Sequence, residues 1–271
     1  MFFSKKRIKC IFVLLLLTQT LLVLASEKKR YLYIHPGIRH AAERDRAYSP
    51  LIYSGLQGSF AVAFTSQKRT ITDYVAINYS TGKIANSYHK TMLGHTARIQ
   101  TYKFYHREAD LQEKGTELLR GFHWGWSNNN EFSTRNIEDM GNFNDRNEYF
   151  TSFGPALRYT LPFMLFNRQF QLEALSHMQL LGFKLQSSYV SSLPPGFLES
   201  SNTGINGFLK SVELFYPENA LNFGIQPTLH YLLKSGNMLT ISYNYDYLRL
   251  KGMHVVEKSR GSWFIGIAAA L

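Results

Sequence analysis

The stretch MLTISYNYDYLRL, residues 238–250, alternates between two kinds of side chain. One face of the alternation is apolar and aromatic, and the other is small or polar. The apolar face carries Leu239, Ile241, Tyr243, Tyr245 and Tyr247, and the polar face carries Thr240, Ser242, Asn244 and Asp246. Because successive side chains of a β-strand point to opposite sides of a sheet, this period of two predicts a strand whose faces meet different surroundings.

The residues just before this stretch predict its neighbour in the sheet. Residues 222–231 alternate in the same way, with an apolar face that runs from Phe223 to Tyr231. The four residues between the two stretches, Lys234–Asn237, have the composition of a tight turn. Two long alternating strands joined by a short turn predict a β-hairpin.

The same alternation recurs along the chain, and no stretch after the N-terminal region shows sustained helical periodicity. It is found in residues 56–65, 121–127, 149–161 and 262–271. Many of the predicted strands run to about 11–14 residues, whereas strands of soluble proteins are commonly 5–6 residues long. A tilted strand that crosses a membrane needs roughly 9–11 residues and can project beyond the bilayer. The fold class is therefore predicted to be all-β, with strands long enough to span a membrane.

The predicted connections fall into two length classes that alternate along the chain. The short turns are Gln67–Thr70, Arg107–Lys114, Pro162–Arg168 and Lys234–Asn237. The long connections are Arg39–Tyr53, Thr81–Leu93, Asn128–Asn147, Ser187–Asn219 and Lys251–Arg260. Short turns at one end and long loops at the other are typical of outer-membrane barrels. This pattern favours an antiparallel transmembrane β-barrel with short periplasmic turns and long extracellular loops.

The number of strands depends on the N-terminal region. Nine strands are clear from the alternation, and bacterial barrels have an even number. The missing strand is predicted at Arg30–Ile38, where Pro36 and Gly37 interrupt the alternation. An irregular N-terminal segment or a plug in the lumen is the alternative. We predict about ten strands, with eight or twelve as the other possibilities.

The first residues predict export. A basic segment, Lys5–Lys9, precedes an apolar run that ends at Ala25, which is the arrangement of a cleaved signal peptide. The predicted divisions are a signal peptide at 1–25, an N-terminal segment or first strand at 26–49 and the barrel at 50–271. Cys10 is the single cysteine of the chain and falls in the signal, so the exported part is predicted to form no disulfide.

Composition narrows the possible partners. The net charge of +11 includes four positive charges in the signal, and the remaining charges are scattered along the chain. A nucleic-acid partner is not predicted, because no basic cluster with interleaved aromatic residues is present. The 17 tyrosines and 20 phenylalanines suit a lipid-facing band with aromatic girdles. No motif for a metal or another cofactor was found, so none is predicted.

The last strand carries a resemblance to a known class. Counted back from the C-terminus, hydrophobic residues alternate with small or polar ones. They include Leu271, Ile267, Ile265 and Trp263. The series resembles the recognition signal that the barrel-assembly machinery reads in outer-membrane β-barrel proteins of Gram-negative bacteria, with Leu271 in place of the usual terminal aromatic residue. The resemblance covers most of residues 50–271. It implies an integral outer-membrane protein, with the assembly machinery and outer-membrane lipid as partners.

Polar side chains on the inward faces form the candidate site. These residues are Arg158, Glu173, His123, His177, Gln226, His230 and Asp246. Arg158 and Glu173 flank one predicted turn at similar distances and are expected at the same depth. In a narrow barrel such groups pair and fill the interior, because a buried charge needs a partner, whereas in a wide barrel they line a water channel. The predicted size of this barrel favours the paired network.

Three functions remain open at this point. The first is a non-enzymatic barrel that acts as a small pore, a scaffold or a surface-interaction protein, with the loop 187–219 as a possible partner surface. The second is an outer-membrane hydrolase that acts on lipid or peptide. None of the nine histidines is followed two positions later by serine, the spacing that resembles barrel phospholipases and lipid A deacylases, and Glu138, Asp139 and Asp145 have no histidine nearby in the sequence. No catalytic residue is therefore predicted. The third is a secreted soluble β-sandwich or barrel.

Overall fold

The computed structural model describes seven segments of the chain. They are residues 29–46, 50–68, 70–106, 120–137, 145–186, 211–251 and 255–271. The predicted signal peptide lies outside the described residues, as do residues 187–210 of the predicted loop 187–219. Among the described residues, no helix is long and apolar enough to cross a membrane.

The described residues form twelve β-strands. Their bounds are β1 Arg30–Asp45, β2 Tyr53–Gln67, β3 Ile71–Ala85, β4 Thr91–Tyr105, β5 Gly121–Ile137, β6 Asp145–Leu165, β7 Arg168–Gln179, β8 Leu181–Gln186, β9 Glu213–Phe215, β10 Ala220–Leu232, β11 Met238–Lys251 and β12 Val255–Ala270. Strands β2, β3 and β4 have 15 residues each and β6 has 21, lengths that exceed the usual strand of a soluble domain.

The strands close into a ten-stranded antiparallel barrel. Neighbours in the chain pair from β1 to β7, from β8 to β9 and from β10 to β12. In addition, β8 pairs with β6, β10 pairs with β7, and β1 pairs with β12 to close the ring. Strands β7 and β8 are two parts of one barrel strand, since both pair with β6. Strands β9 and β10 are likewise two parts of one barrel strand, since β9 pairs with β8 and β10 pairs with β7. The segment Arg30–Ile38, whose structure the sequence left open, belongs to β1 and is the first strand of the barrel.

Two irregularities in the ladder lie beside Pro155 and Pro227, two of the prolines in the described strands. Strand β6 pairs Phe153 with Leu181 and Ala156 with His177, so the β7–β8 strand carries one extra residue between these pairs. This is a β-bulge, and Pro155 lies opposite it. Pro227 lies at a gap in the pairing between β10 and β11. A proline lacks the N–H that the ladder needs, so both positions avoid an unsatisfied bond.

The predicted boundaries of most long connections were wrong. Strand β1 continues to Asp45, and the connection between β3 and β4 is reduced to residues 86–90. Strand β5 continues to Ile137, β6 begins at Asp145 and β12 begins at Val255. These strand ends carry polar residues on both faces, which made them resemble loops in the sequence. The predicted short turn Arg107–Lys114 lies outside the described residues.

The outer face of the barrel is an exposed apolar band. Its aliphatic residues include Ile34, Ile38, Leu56, Ile77, Ile99, Leu157, Leu229, Ile241, Ile265 and Ile267, all at least 37% exposed. Aromatic side chains lie toward its ends. At the end that holds the chain termini, Phe122 packs on Tyr159 and Phe163 on Phe170. A continuous exposed apolar band flanked by aromatic residues is the surface that a membrane barrel presents to lipid.

Candidate functional site

The inner face of the barrel is polar, charged and buried. Alternation within each strand places these side chains in the lumen, opposite to the apolar band. A group of nine charged residues lies toward the end away from the chain termini. It consists of Arg98, Arg135, Lys258 and Arg260 with Glu43, Asp45, Glu131, Glu148 and Asp246, and we call it the ion-pair layer. The nine side chains are only 3–9% exposed, so each charge depends on its partners rather than on water.

Two ion pairs in this layer join walls that face each other. Arg98 on β4 donates to Asp246 on β11 over 2.6 Å, and Arg260 on β12 donates to Glu131 on β5 over 2.6 Å. In a ring of ten strands, β4 and β11 are five positions apart, as are β5 and β12. Each pair therefore crosses the full width of the lumen. Direct contact between opposite walls requires a lumen filled by side chains at this level.

Glu131 lies at the centre of the ion-pair layer. Besides Arg260, it accepts hydrogen bonds from Nε and Nη2 of Arg98 at 3.2 and 3.0 Å, and Lys258 Nζ lies 3.6 Å away. Lys258 also donates to Glu148 over 2.5 Å. Three cations thus converge on one carboxylate, which offsets the cost of burying each of them.

Arg135 extends the layer to the wall formed by β1. It donates to Glu148 and, over 3.3 Å, to Asp45, and its Nη1 lies 3.9 Å from Glu43. Glu43 in turn accepts from Nη2 of Arg260 over 3.2 Å. The chain of contacts therefore runs from β1 across the lumen and back, so that every member has at least one oppositely charged neighbour.

The lower lumen, nearer the chain termini, contains a second polar group. Arg158 donates to Glu173 over 2.6 Å, as their positions beside one turn predicted, and His230 Nε2 lies 3.8 Å from Glu173. Two adjoining cavities share Tyr33, Thr65 and these three residues in their linings. Nε and Nη1 of Arg158 have no hydrogen-bond partner among the described residues. A small polar cavity of this kind is where ordered water satisfies such groups.

The other predicted lumen residues also lie on the inner face. Tyr102 lies 3.1 Å from Nδ1 of His177, whose Nε2 is 3.9 Å from Asp246. His123 is fully buried, and its ring packs edge-on against His106 at 5.5 Å. Gln226 lines the lower cavity. The predicted residues thus belong to two groups, with Asp246 and His177 at the ion-pair layer and Arg158, Glu173 and His230 below it.

The prediction missed most of the ion-pair layer. Of its nine members, only Asp246 was assigned to the lumen. Six of the others lie in segments that were assigned to long connections, and Arg98 and Glu148 lie just outside such segments. The spacing of the charged residues in the sequence nevertheless indicated that they share a face. Glu131, Ser133 and Arg135 are spaced two apart, as are Lys258 and Arg260. Charges spaced in this way share one face of a strand.

The residues of the predicted assembly signal lie on the outer face of β12. Trp263, Ile265 and Ile267 are 53–66% exposed, and Leu271 is 71% exposed. The backbone N–H of Leu271 donates to the carbonyl of Arg30, so the last residue continues the pairing with the first strand. Recognition by the assembly machinery stays a prediction.

The other candidate chemistries of the sequence were a metal site and a catalytic acidic cluster. No group of three or more His, Cys, Asp or Glu side chains there is arranged to hold a metal ion. Glu138 and Asp139 lie outside the described residues, as does the side chain of Asp145. In the described part of the lumen, charged side chains from opposite walls contact one another and occupy the space between them.

Comparisons with known proteins return structures but no family. No family model matches the chain, and no curated protein matches it. The translocator domain of the autotransporter NalP from Neisseria meningitidis is 7% identical, with 97% of this chain and 95% of that chain covered and a TM-score of 0.37. The transport unit of the autotransporter AIDA-I from Escherichia coli is 9% identical, with coverages of 94% and 96% and a TM-score of 0.38. An outer membrane channel from Pseudomonas putida F1 is 8% identical, with coverages of 91% and 97% and a TM-score of 0.36. Similarity at this level assigns neither a family nor a function to the chain.

Proposed function

We propose that this chain is an integral outer-membrane β-barrel that acts as a sealed scaffold. In this proposal the barrel anchors the protein in the membrane and holds its extracellular segments at the cell surface, and it conducts no solute through its lumen. The observation that carries the proposal is the ion-pair layer, in which Arg98 meets Asp246 and Arg260 meets Glu131 across the full width of the barrel.

The membrane part of the proposal is supported by the outer face. Monomeric soluble proteins expose apolar patches of no more than a few hundred Å². Here exposed isoleucine, leucine and aromatic side chains follow one another around the ring, while charged side chains fill the inside. This arrangement is unfavourable in water and favourable in a bilayer, where the charges are kept from lipid and the apolar side chains meet it.

The scaffold part of the proposal is supported by the connections at the end away from the chain termini. The longest of them joins β8 to β9 and spans residues 187–212. Its sequence contains Leu193-Pro194-Pro195-Gly196-Phe197, in which two prolines stiffen an apolar segment. The partner-binding role that the sequence predicts for the loop 187–219 is part of this proposal, and residues 187–210 of that loop lie outside the described residues.

Conductance distinguishes a sealed scaffold from a small pore. Purified protein inserted in a planar lipid bilayer is expected to show no steady single-channel current. The double variant Arg98→Ser with Arg260→Ser removes both contacts across the lumen and is expected to produce a measurable current. Folding of each protein is checked by its shift in gel migration on heating. A steady current from the unaltered protein would overturn the sealed scaffold in favour of a pore.

A further inference from the structure

A row of charged side chains crosses the outer face of three neighbouring strands. Arg44 on β1, Glu257 on β12 and Arg249 on β11 are direct partners in the strand register. Arg44 Nε donates to Glu257 over 2.9 Å, and Arg249 Nε lies 3.3 Å from the same carboxylate. The Arg249 side chain is 43% exposed, so its guanidinium also faces the surroundings of the barrel.

Two further cations continue this row away from the chain termini. The backbone N–H of Arg46 donates to the carbonyl of Val255, and Lys251 pairs with Val255 in the register. Both Arg46 and Lys251 are exposed. Four basic side chains therefore lie side by side on β1, β11 and the connection after β1. We call Arg44, Arg46, Arg249 and Lys251 the basic patch.

The basic patch lies just beyond the apolar band. On β11, Leu239 and Ile241 are followed on the outer face by three tyrosines and then by Arg249. Leu239 and Arg249 are about 33 Å apart along the strand, at roughly 3.3 Å per residue, which is about 25 Å along the membrane normal at a tilt near 40°. An apolar band is about 25 Å tall. The guanidinium of Arg249 therefore lies at the level of the lipid headgroups.

The charge of the patch is not balanced by its neighbours. Glu257 is the carboxylate within it, and Glu218 is exposed in the turn before β10. Among the residues that the structure describes around the patch, two carboxylates against four cations leave an excess of two positive charges. Strands β4 and β5 carry no such excess at this end, since their outward residues there are Leu93, His95, Thr134 and Asn136.

We infer that the basic patch binds a lipid headgroup that carries two phosphates, in the leaflet that faces the outside of the cell. An excess of two positive charges matches two phosphates better than the single phosphate of a common phospholipid. Guanidinium groups bind phosphate oxygens through paired hydrogen bonds, and Glu257 holds two of them side by side. The leaflet assigned here depends on the outer-membrane orientation proposed above, whereas the phosphate chemistry does not.

Native mass spectrometry of the purified barrel in detergent tests the inference. The probes are lipid A with two phosphates, its monophosphoryl form and its dephosphorylated form. The test variant is Arg44→Gln with Arg249→Gln. The matched control is Lys83→Gln with Lys103→Gln, which removes two exposed cations from β3 and β4. We expect the test variant to bind the two-phosphate lipid roughly tenfold or more weakly, since each basic residue near a lipid surface contributes about 1 kcal/mol. The control is expected to bind it as the unaltered protein does.

Three results would overturn the inference. The first is unchanged binding of the two-phosphate lipid by the test variant. The second is that the unaltered protein binds the dephosphorylated lipid as tightly as the two-phosphate lipid. The third is that it binds the monophosphoryl lipid as tightly, which would remove the match to two phosphates. Both double variants are first checked for folding by heat-dependent gel migration. Because binding in detergent requires neither a sealed lumen nor a particular orientation, this test can fail while the proposed scaffold stands, and the conductance test can fail while the lipid site stands.

Discussion

The central carboxylate of the ion-pair layer gives the sharpest prediction about stability. The substitution Glu131→Gln keeps the size of the side chain and removes its charge. Arg98, Lys258 and Arg260 then remain in the lumen without the carboxylate on which they converge. Breaking a buried ion pair by removing one partner costs about 3–5 kcal/mol. We expect a loss of that size in the free energy of unfolding.

The measurement is a urea titration of the folded barrel in detergent, followed by heat-dependent gel migration. With a slope of about 2–3 kcal/mol per molar urea, the midpoint should fall by roughly 1–2.5 M. The control is Glu257→Gln, which alters an ion pair on the outer face. Surface ion pairs contribute about 0–1 kcal/mol, so the control should shift the midpoint by roughly 0.5 M or less. Equal shifts for the two variants would refute the reasoning that Glu131 organises a buried network.

Three further predictions concern other parts of the barrel. The single variants Arg158→Ala and Glu173→Ala should each lower the urea midpoint. The double variant should lose less unfolding free energy than the two single variants together, with a coupling energy of about 0.5–3 kcal/mol. Additive losses would show that the pair is not formed. Gly224→Ala should destabilise the barrel by about 1–3 kcal/mol, because the new methyl group would overlap the His177 ring; an unchanged midpoint would place that ring elsewhere. Ile265→Lys, at a side chain that is 66% exposed, should destabilise the folded barrel in lipid vesicles by about 2–4 kcal/mol, and a neutral effect would show that this face does not meet lipid.

The fold was largely predictable because alternation persists where a strand crosses the apolar band. Along β11, Leu239 and Ile241 face outward while Thr240 and Ser242 face inward, and the period of two is unmistakable. The sequence also shows a change of face near Leu180, since Phe170, Leu172 and Met178 share one face of the predicted strand and Leu181, Phe183 and Leu185 the other. The bulge opposite Pro155 is its structural form.

The candidate site was less predictable because most of its members lie where strands extend toward the barrel end. There the outer face also carries polar residues such as Thr134 and Glu257, so the contrast between faces disappears. Glu43 and Arg260 were assigned to connections for this reason. Pairing across the lumen is a separate difficulty: Arg98 and Asp246 are 148 residues apart in the chain, and only closure of the ring brings them together.

If the barrel spans the outer membrane as proposed, its two ends lie on opposite sides of that membrane. With Cys10 in the predicted signal, the exported chain carries no cysteine of its own, so a single introduced thiol reports one position. Ser87 is exposed in the turn 86–90 at one end, and Ser235 is exposed in the turn 233–237 at the other. In intact cells, a membrane-impermeant maleimide should label Ser87→Cys and should label Ser235→Cys only after the outer membrane is permeabilised. Labelling of both positions in intact cells, or of Ser235→Cys alone, would contradict the account.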